Sequence, residues 1–78
     1  MIFIATFHTH FGAMDFSRTL KKLNYSAEMM PVPRVLSASC GVCIKFYECN
    51  GVDYSKCSDL DCVYEQKSNE HILIYDAE

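Results

Sequence analysis

The chain has 78 residues, half of them apolar and 22% charged, which is an ordinary balance for one globular domain and leaves no room for a second. Its formal charge of −3 argues against a phosphate-backbone partner, so no nucleic-acid role is expected. No apolar run approaches the ~20 residues that span a bilayer, and Met1 to Ala5 lacks the basic flank and cleavage site of a secretory signal. The expectation is a cytoplasmic single domain over residues 1–78 with no membrane association.

Taken in chain order, Ile2 to Phe7 is rich in β-branched and aromatic residues and reads as a strand. A helix is expected from Thr9 to Leu23. Thr9 can cap it, and Ala13, Phe16, Leu20 and Leu23 fall on one face. Lys21 and Lys22 suit the negative end of its dipole, and Asn24 suits a left-handed stop. Ala27 to Val32 reads as a second strand. It leads into Pro31-Val32-Pro33, so it belongs at a sheet edge. In a third strand, Val42 to Cys49, the residues Val42, Ile44 and Phe46 face the core, and Cys43, Lys45, Tyr47 and Cys49 face away. Asn50-Gly51 is a turn signal. Asp53 to Lys67 is read as a second helix, with Ser58 and Asp61 as a capping box and Leu60, Val63 and Tyr64 on its apolar face. His71 to Tyr75 closes the chain as a strand.

That β-α-β-β-α-β order predicts an α+β ferredoxin-like sandwich, a four-stranded antiparallel sheet with two helices on one face. The second sheet face then has no cover of its own. An apolar face left bare in so small a chain calls for a partner, and a two-fold homodimer through it is the expected solution.

Five cysteines make about 6% of the chain, below the ~8–10% of secreted disulfide scaffolds. In a reducing compartment they are packing residues, metal ligands or reactive thiols. Cys40 is the candidate reactive thiol. It follows a run of small residues, Ser37-Ala38-Ser39. Gly41 beside it removes bulk from the approach, and Arg34 adds positive charge, a setting that favours the thiolate. A turn that happens to contain a buried cysteine is the plainer alternative.

Cys40 and Cys43 also form a C-x-x-C, but here the pair runs into a strand. Three strand steps separate Cα atoms by roughly 10 Å, and a disulfide tolerates at most ~7 Å, so the pair can bridge only if the chain turns at Gly41 before the strand begins. Cys40, Cys43, Cys57 and Cys62, with 13 residues between the two pairs, approximate the spacing of a zinc or iron–sulfur site. Cys49, His8 and His10 are substitute ligands. His8 and His10 also read as exposed residues at a helix start, and His71 as a strand-end residue. No Ser-His-Asp order, phosphate loop or carboxylate pair stands out, so no enzyme is expected.

Pro31-x-Pro33-Arg34 followed by Ser37-x-Ser39-Cys40-Gly41 at the start of a strand resembles the motif of the putative Se/S carrier-like family of short bacterial proteins. Phe7, Thr9 and Ala13 match the start of that family's first helix, and Leu20-Lys21-Lys22-Leu23 precedes the second strand in the same way. The resemblance covers Ile2 to Ile44 and fades beyond it. Cys43, Cys49, Cys57 and Cys62 lie outside the family pattern. The resemblance implies a carrier that holds sulfur or selenium on Cys40, with Arg34 and Gly41 as its setting. It also implies a donating enzyme and an acceptor protein as partners; no cofactor is expected unless the cysteine set holds zinc or an iron–sulfur cluster.

Overall fold

The computed structural model describes residues 1–36, 41–47, 53–57 and 59–77. It has one α-helix and a five-stranded antiparallel sheet. Strand β1 spans Ile2–Phe7, helix α1 His10–Lys22, β2 Ala27–Pro31, β3 Val42–Tyr47, β4 Leu60–Lys67 and β5 Glu70–Asp76. A 3-10 turn, Tyr54–Lys56, lies between β3 and β4. The sheet order is β2-β3-β1-β4-β5. Both β1 and β2 are antiparallel to β3, so they run parallel with β3 inserted between them, joined by the α1 crossover.

Helix α1 forms for the reasons its sequence carries. Thr9 is in an extended conformation, and its hydroxyl accepts the Gly12 N–H at 3.1 Å, satisfying one of the free donors of the first turn. Asn24 ends the helix at φ 64°, and Lys21 and Lys22 occupy the last turn. The face carrying Ala13, Phe16 and Leu20 is buried against Ala5, Phe7, Ile44 and Phe46. Phe16 meets Phe46 edge-on at 5.2 Å and Phe7 at 5.4 Å, geometries favoured by the ring quadrupoles.

The second helix expected over Asp53 to Lys67 is not there. Residues 60–67 form β4, which pairs with the central strand β1 along its length. The misreading has a physical cause. Leu60 and Val63 both lie on the α1 side of the sheet, yet they are three residues apart, as in a helix. A register shift opposite Thr6/Phe7 makes this possible, because Thr6 pairs with Cys62 while Phe7 pairs with Leu60. Asp61 is the extra residue of this bulge and resets the side-chain alternation. Strand β5 repeats the device. Val63 pairs with Tyr75 and Tyr64 with Leu73, leaving Ile74 as the extra residue.

The predicted four-stranded, two-helix sandwich is therefore replaced by five strands and one helix. Ser68 and Asn69 make the two-residue connection from β4 to β5, with Ser68 at φ 52°. Asp53 caps the 3-10 turn, accepting the Ser55 N–H at 3.0 Å and the Ser55 hydroxyl at 2.6 Å. These two bonds hold its carboxyl below the usual carboxylate range. Asn50-Gly51, Cys49 and Ser58 lie outside the described residues.

Register places Cys43, Lys45 and Tyr47 on the face away from α1, as the alternation requires, beside Ile2, Ile4 and Thr6 of β1 and Cys62, Tyr64 and Gln66 of β4. At the centre of that face Ile4, Thr6 and Cys43 are fully buried. Among the described residues, no helix is long and apolar enough to cross a membrane.

Candidate functional site

The Pro-x-Pro-Arg segment leaves the end of β2. Pro31 is the last residue of that edge strand and pairs with Val42, and an edge position tolerates the missing donor of proline. The Val32 N–H donates to the Gly41 carbonyl at 3.2 Å, closing the base of the β2–β3 connection. The Leu36 N–H donates to the Pro33 carbonyl at 3.0 Å. This forms a turn with Arg34 and Val35 at its two central positions, where both are exposed. Pro33 fixes the backbone angle that leads into it. Gly41 sits at φ +75°, and among the described residues, its chain neighbours aside, no atom lies within 4 Å of where a Cβ would stand. Glycine suits this position because the left-handed backbone disfavours any side chain. Cys40, the candidate carrier thiol, lies outside the described residues together with Ser37, Ala38 and Ser39.

Strand directions bring other groups to the same end of the sheet. The end of β1, the N-terminus of α1, the start of β3, the start of β4 and the end of β5 all meet there. The His8 N–H donates to the Asp59 carbonyl at 2.8 Å, and the Thr9 hydroxyl donates to Asp59 Oδ2 at 2.7 Å. His8 Nε2 lies 3.7 Å from Asp61 Oδ1, an ion pair when the imidazole is protonated. Cys62 pairs across the ladder with Asp76. Asp59, Asp61 and Asp76 thus give this end an acidic side, which the sequence reading missed because it placed Asp59 and Asp61 on a helix. The pairing of β4 with β1 and of β5 with β4 brings them here, and residue spacing gives no sign of it.

The cysteines sort by environment. Cys43 is fully buried, and its thiol donates to the Pro31 carbonyl at 3.8 Å, so it packs between strands and is closed to a partner. Cys57 ends the 3-10 turn and packs against the α1-side core. Cys62 is half-buried on the other face. Partial burial pushes its thiol above the ordinary value, and the neighbouring Asp61 and Asp76 carboxylates push it further, against a hydrogen bond from Tyr64 that lowers it. A raised thiol pKa means little thiolate at neutral pH.

Of the four-cysteine metal set, Cys40, Cys43, Cys57 and Cys62, the three described members do not come together. The sheet separates Cys57 from Cys43 and Cys62. Cys43 and Cys62 flank Thr6 on two different strands, which sets their Cα atoms about 10 Å apart. Among the described residues, no group of three or more His, Cys, Asp or Glu side chains could hold a zinc ion or an iron–sulfur cluster. His8 and His10 are exposed at the helix start.

A small α+β domain with a proline-bounded connection opening at one end of its sheet is the setting in which the sequence motif now stands. The chain belongs to the family described as Putative Se/S carrier protein-like, whose model matches residues 3–74. The match extends well past Ile44, so β4 and β5 belong to the family pattern as well. No curated protein and no solved structure matches the chain.

Proposed function

We propose that the protein carries sulfur or selenium between a donating enzyme and an acceptor protein in the cytoplasm, with Cys40 as the carrier thiol. Family membership over residues 3–74 is the observation that carries this reading. It is supported by the setting of two of the three described cysteines, since Cys43 is closed off and Cys62 is held as a thiol. Arg34, exposed in the turn that precedes the motif, supplies positive charge on the approach.

The chemistry is thiol exchange. The Cys40 thiolate attacks the outer sulfur of a donor persulfide, and a new S–S bond forms. The donor S–S bond breaks, and its electron pair leaves on the donor thiolate. Cys40 is then a persulfide, or a selenosulfide when the donor holds selenium. An acceptor thiolate removes the atom by the same step in reverse sense. No base or oxyanion site is needed for this, so the chain acts as a carrier and not as an enzyme.

Incubation with a cysteine desulfurase and cysteine, followed by intact mass measurement, tests the proposal. The expected result is a gain of one sulfur atom, reversed by a reducing thiol and lost in Cys40→Ser. A gain that persists in Cys40→Ser contradicts the assignment, and so does no gain in the wild type.

A further inference from the structure

Charge is unevenly spread along the chain. Residues 1–47 hold five Lys/Arg and two Asp/Glu, whereas residues 48–78 hold two and eight. Among the described residues, the fold sets Arg18, Lys21 and Lys22 of α1 at one edge, beside β2, and Glu70 and Asp76 of β5 at the other, with Lys67 across the ladder from Glu70. Each edge also exposes apolar side chains. Between α1 and β2 lies a hollow of about 320 Å³ lined by Met14, Ser17, Arg18, Lys21 and Met29. Met14 and Met29 are 42% and 37% exposed, and Phe11, one turn before Met14, is 66% exposed. At the far edge, Ile72, Leu73 and Ile74 of β5 are 41–50% exposed, between Glu70 and Asp76.

We propose that the hollow between α1 and β2 of one molecule receives the β5 edge of a second copy. Methionine side chains adapt to an inserted aliphatic group, and Arg18 and Lys21 at the rim complement Glu70. The contact is made by side chains and does not extend the ladder, since the bulge at Ile74 blunts β5 as a pairing template.

Each edge repels its own kind. Two β5 strands paired about a dyad at Leu73 set Glu70 opposite Asp76, and two α1 faces set Arg18 and Lys21 against their equivalents. The contact therefore joins unlike edges, and because these lie at opposite ends of the sheet order it favours rings or chains. The face-to-face homodimer expected from the sequence rested on a bare sheet face, and the burial of Ile4, Thr6 and Cys43 removes that need. The inference is independent of the carrier chemistry, and Cys40→Ser leaves it unchanged.

Sedimentation velocity at protein concentrations from about 20 to about 500 μM tests it, a range suited to a contact below the standard interface size. The wild type should sediment faster as concentration rises at low salt. That rise should fall several-fold at about 0.5 M salt, where exposed charges are screened. Arg18→Glu with Lys21→Glu should remove the association, as should Glu70→Lys with Ile72→Lys. An equimolar mixture of the two double variants should restore it. A wild type that stays monomeric at low salt overturns the proposal. So does association indifferent to salt, or folded variants that associate as the wild type does. Folding of both variants is checked by circular dichroism, and the salt dependence of the wild type stands without them.

Discussion

Strands β2, β3 and β1 lie under a thirteen-residue helix, whereas β4 and β5 have a single 3-10 turn above them. The first half buries its core with large aliphatic and aromatic groups and carries the Pro-x-Pro-Arg connection. The second half contributes Leu60 and Val63 to that core and leaves Ile72, Leu73 and Ile74 exposed. It is also the acidic half. The contrast separates two tasks within one sheet: a packed, cation-bearing half that presents the motif, and a thinner half whose strand pairing brings acidic side chains to the same end.

Core truncation should show the contrast at its largest. Phe46 touches both Phe3 and Phe16, and Phe46→Ala should cost about 3–5 kcal/mol, enough to unfold most of so small a domain. Ile72→Ser in the thin half should cost no more than ~1 kcal/mol. Urea denaturation compares the two, and equal losses would dissolve the distinction between the halves.

Backbone strain in the first half gives the next effect. Gly41 has space for a Cβ but holds φ +75°, so Gly41→Ala should destabilise by about 1–2 kcal/mol. The midpoint should shift without a change in urea slope, as befits local strain in an intact fold. An unchanged midpoint would mean that the backbone at 41 relaxes freely.

Thr9 joins the halves. It caps α1 and donates to Asp59, so Thr9→Ala should cost about 1 kcal/mol and Thr9→Ser should recover most of it. Thermal unfolding of the three proteins measures this, and a Ser variant as weak as Ala would show that the hydroxyl does not act there.

The smallest effects are electrostatic. Cys62 and Tyr64 are both held above their ordinary values, Cys62 mainly by burial with help from Asp61 and Asp76, and Tyr64 mainly by burial with help from Cys62. Each is favoured in its neutral form by folding. The stability tied to them is present below their unfolded-state values and is lost as pH rises through the raised ones. Urea midpoints should therefore fall between about pH 8 and about pH 11. Asp61→Asn should speed alkylation of Cys62 at neutral pH, because it removes a carboxylate that adds to the effect of burial in raising the thiol. A slower reaction would reverse the assigned sign.

The same division governs what could be read from sequence. In the first half, local chemistry and tertiary structure agree. Thr9 caps, Asn24 stops, Ala13, Phe16 and Leu20 share a face, and Val42, Ile44 and Phe46 alternate with Cys43, Lys45 and Tyr47. In the second half the bulges at Asp61 and Ile74 turn a strand's period of two into a spacing of three. Residues 53–67 then mimic a helix, and only pairing with β1, invisible in the sequence, decides otherwise. The candidate site divides likewise. The edge position of the strand that ends in Pro31-Val32-Pro33 was legible because proline's missing donor is a local property. The acidic groups at the same end of the sheet were not, because Asp59, Asp61 and Asp76 are brought there by long-range strand pairing. The four-cysteine spacing misled for the complementary reason, since proximity along the chain does not reveal that a sheet intervenes.

The central claim is that the motif in the first half holds the reactive thiol. Limiting alkylation near neutral pH under native conditions, with the labelled peptides mapped, tests it most directly. Cys40 should react fastest, ahead of Cys57 and Cys62, with Cys43 labelled only on unfolding, as its complete burial requires. Preferential labelling of Cys57 or Cys62 with Cys40 protected would contradict the account.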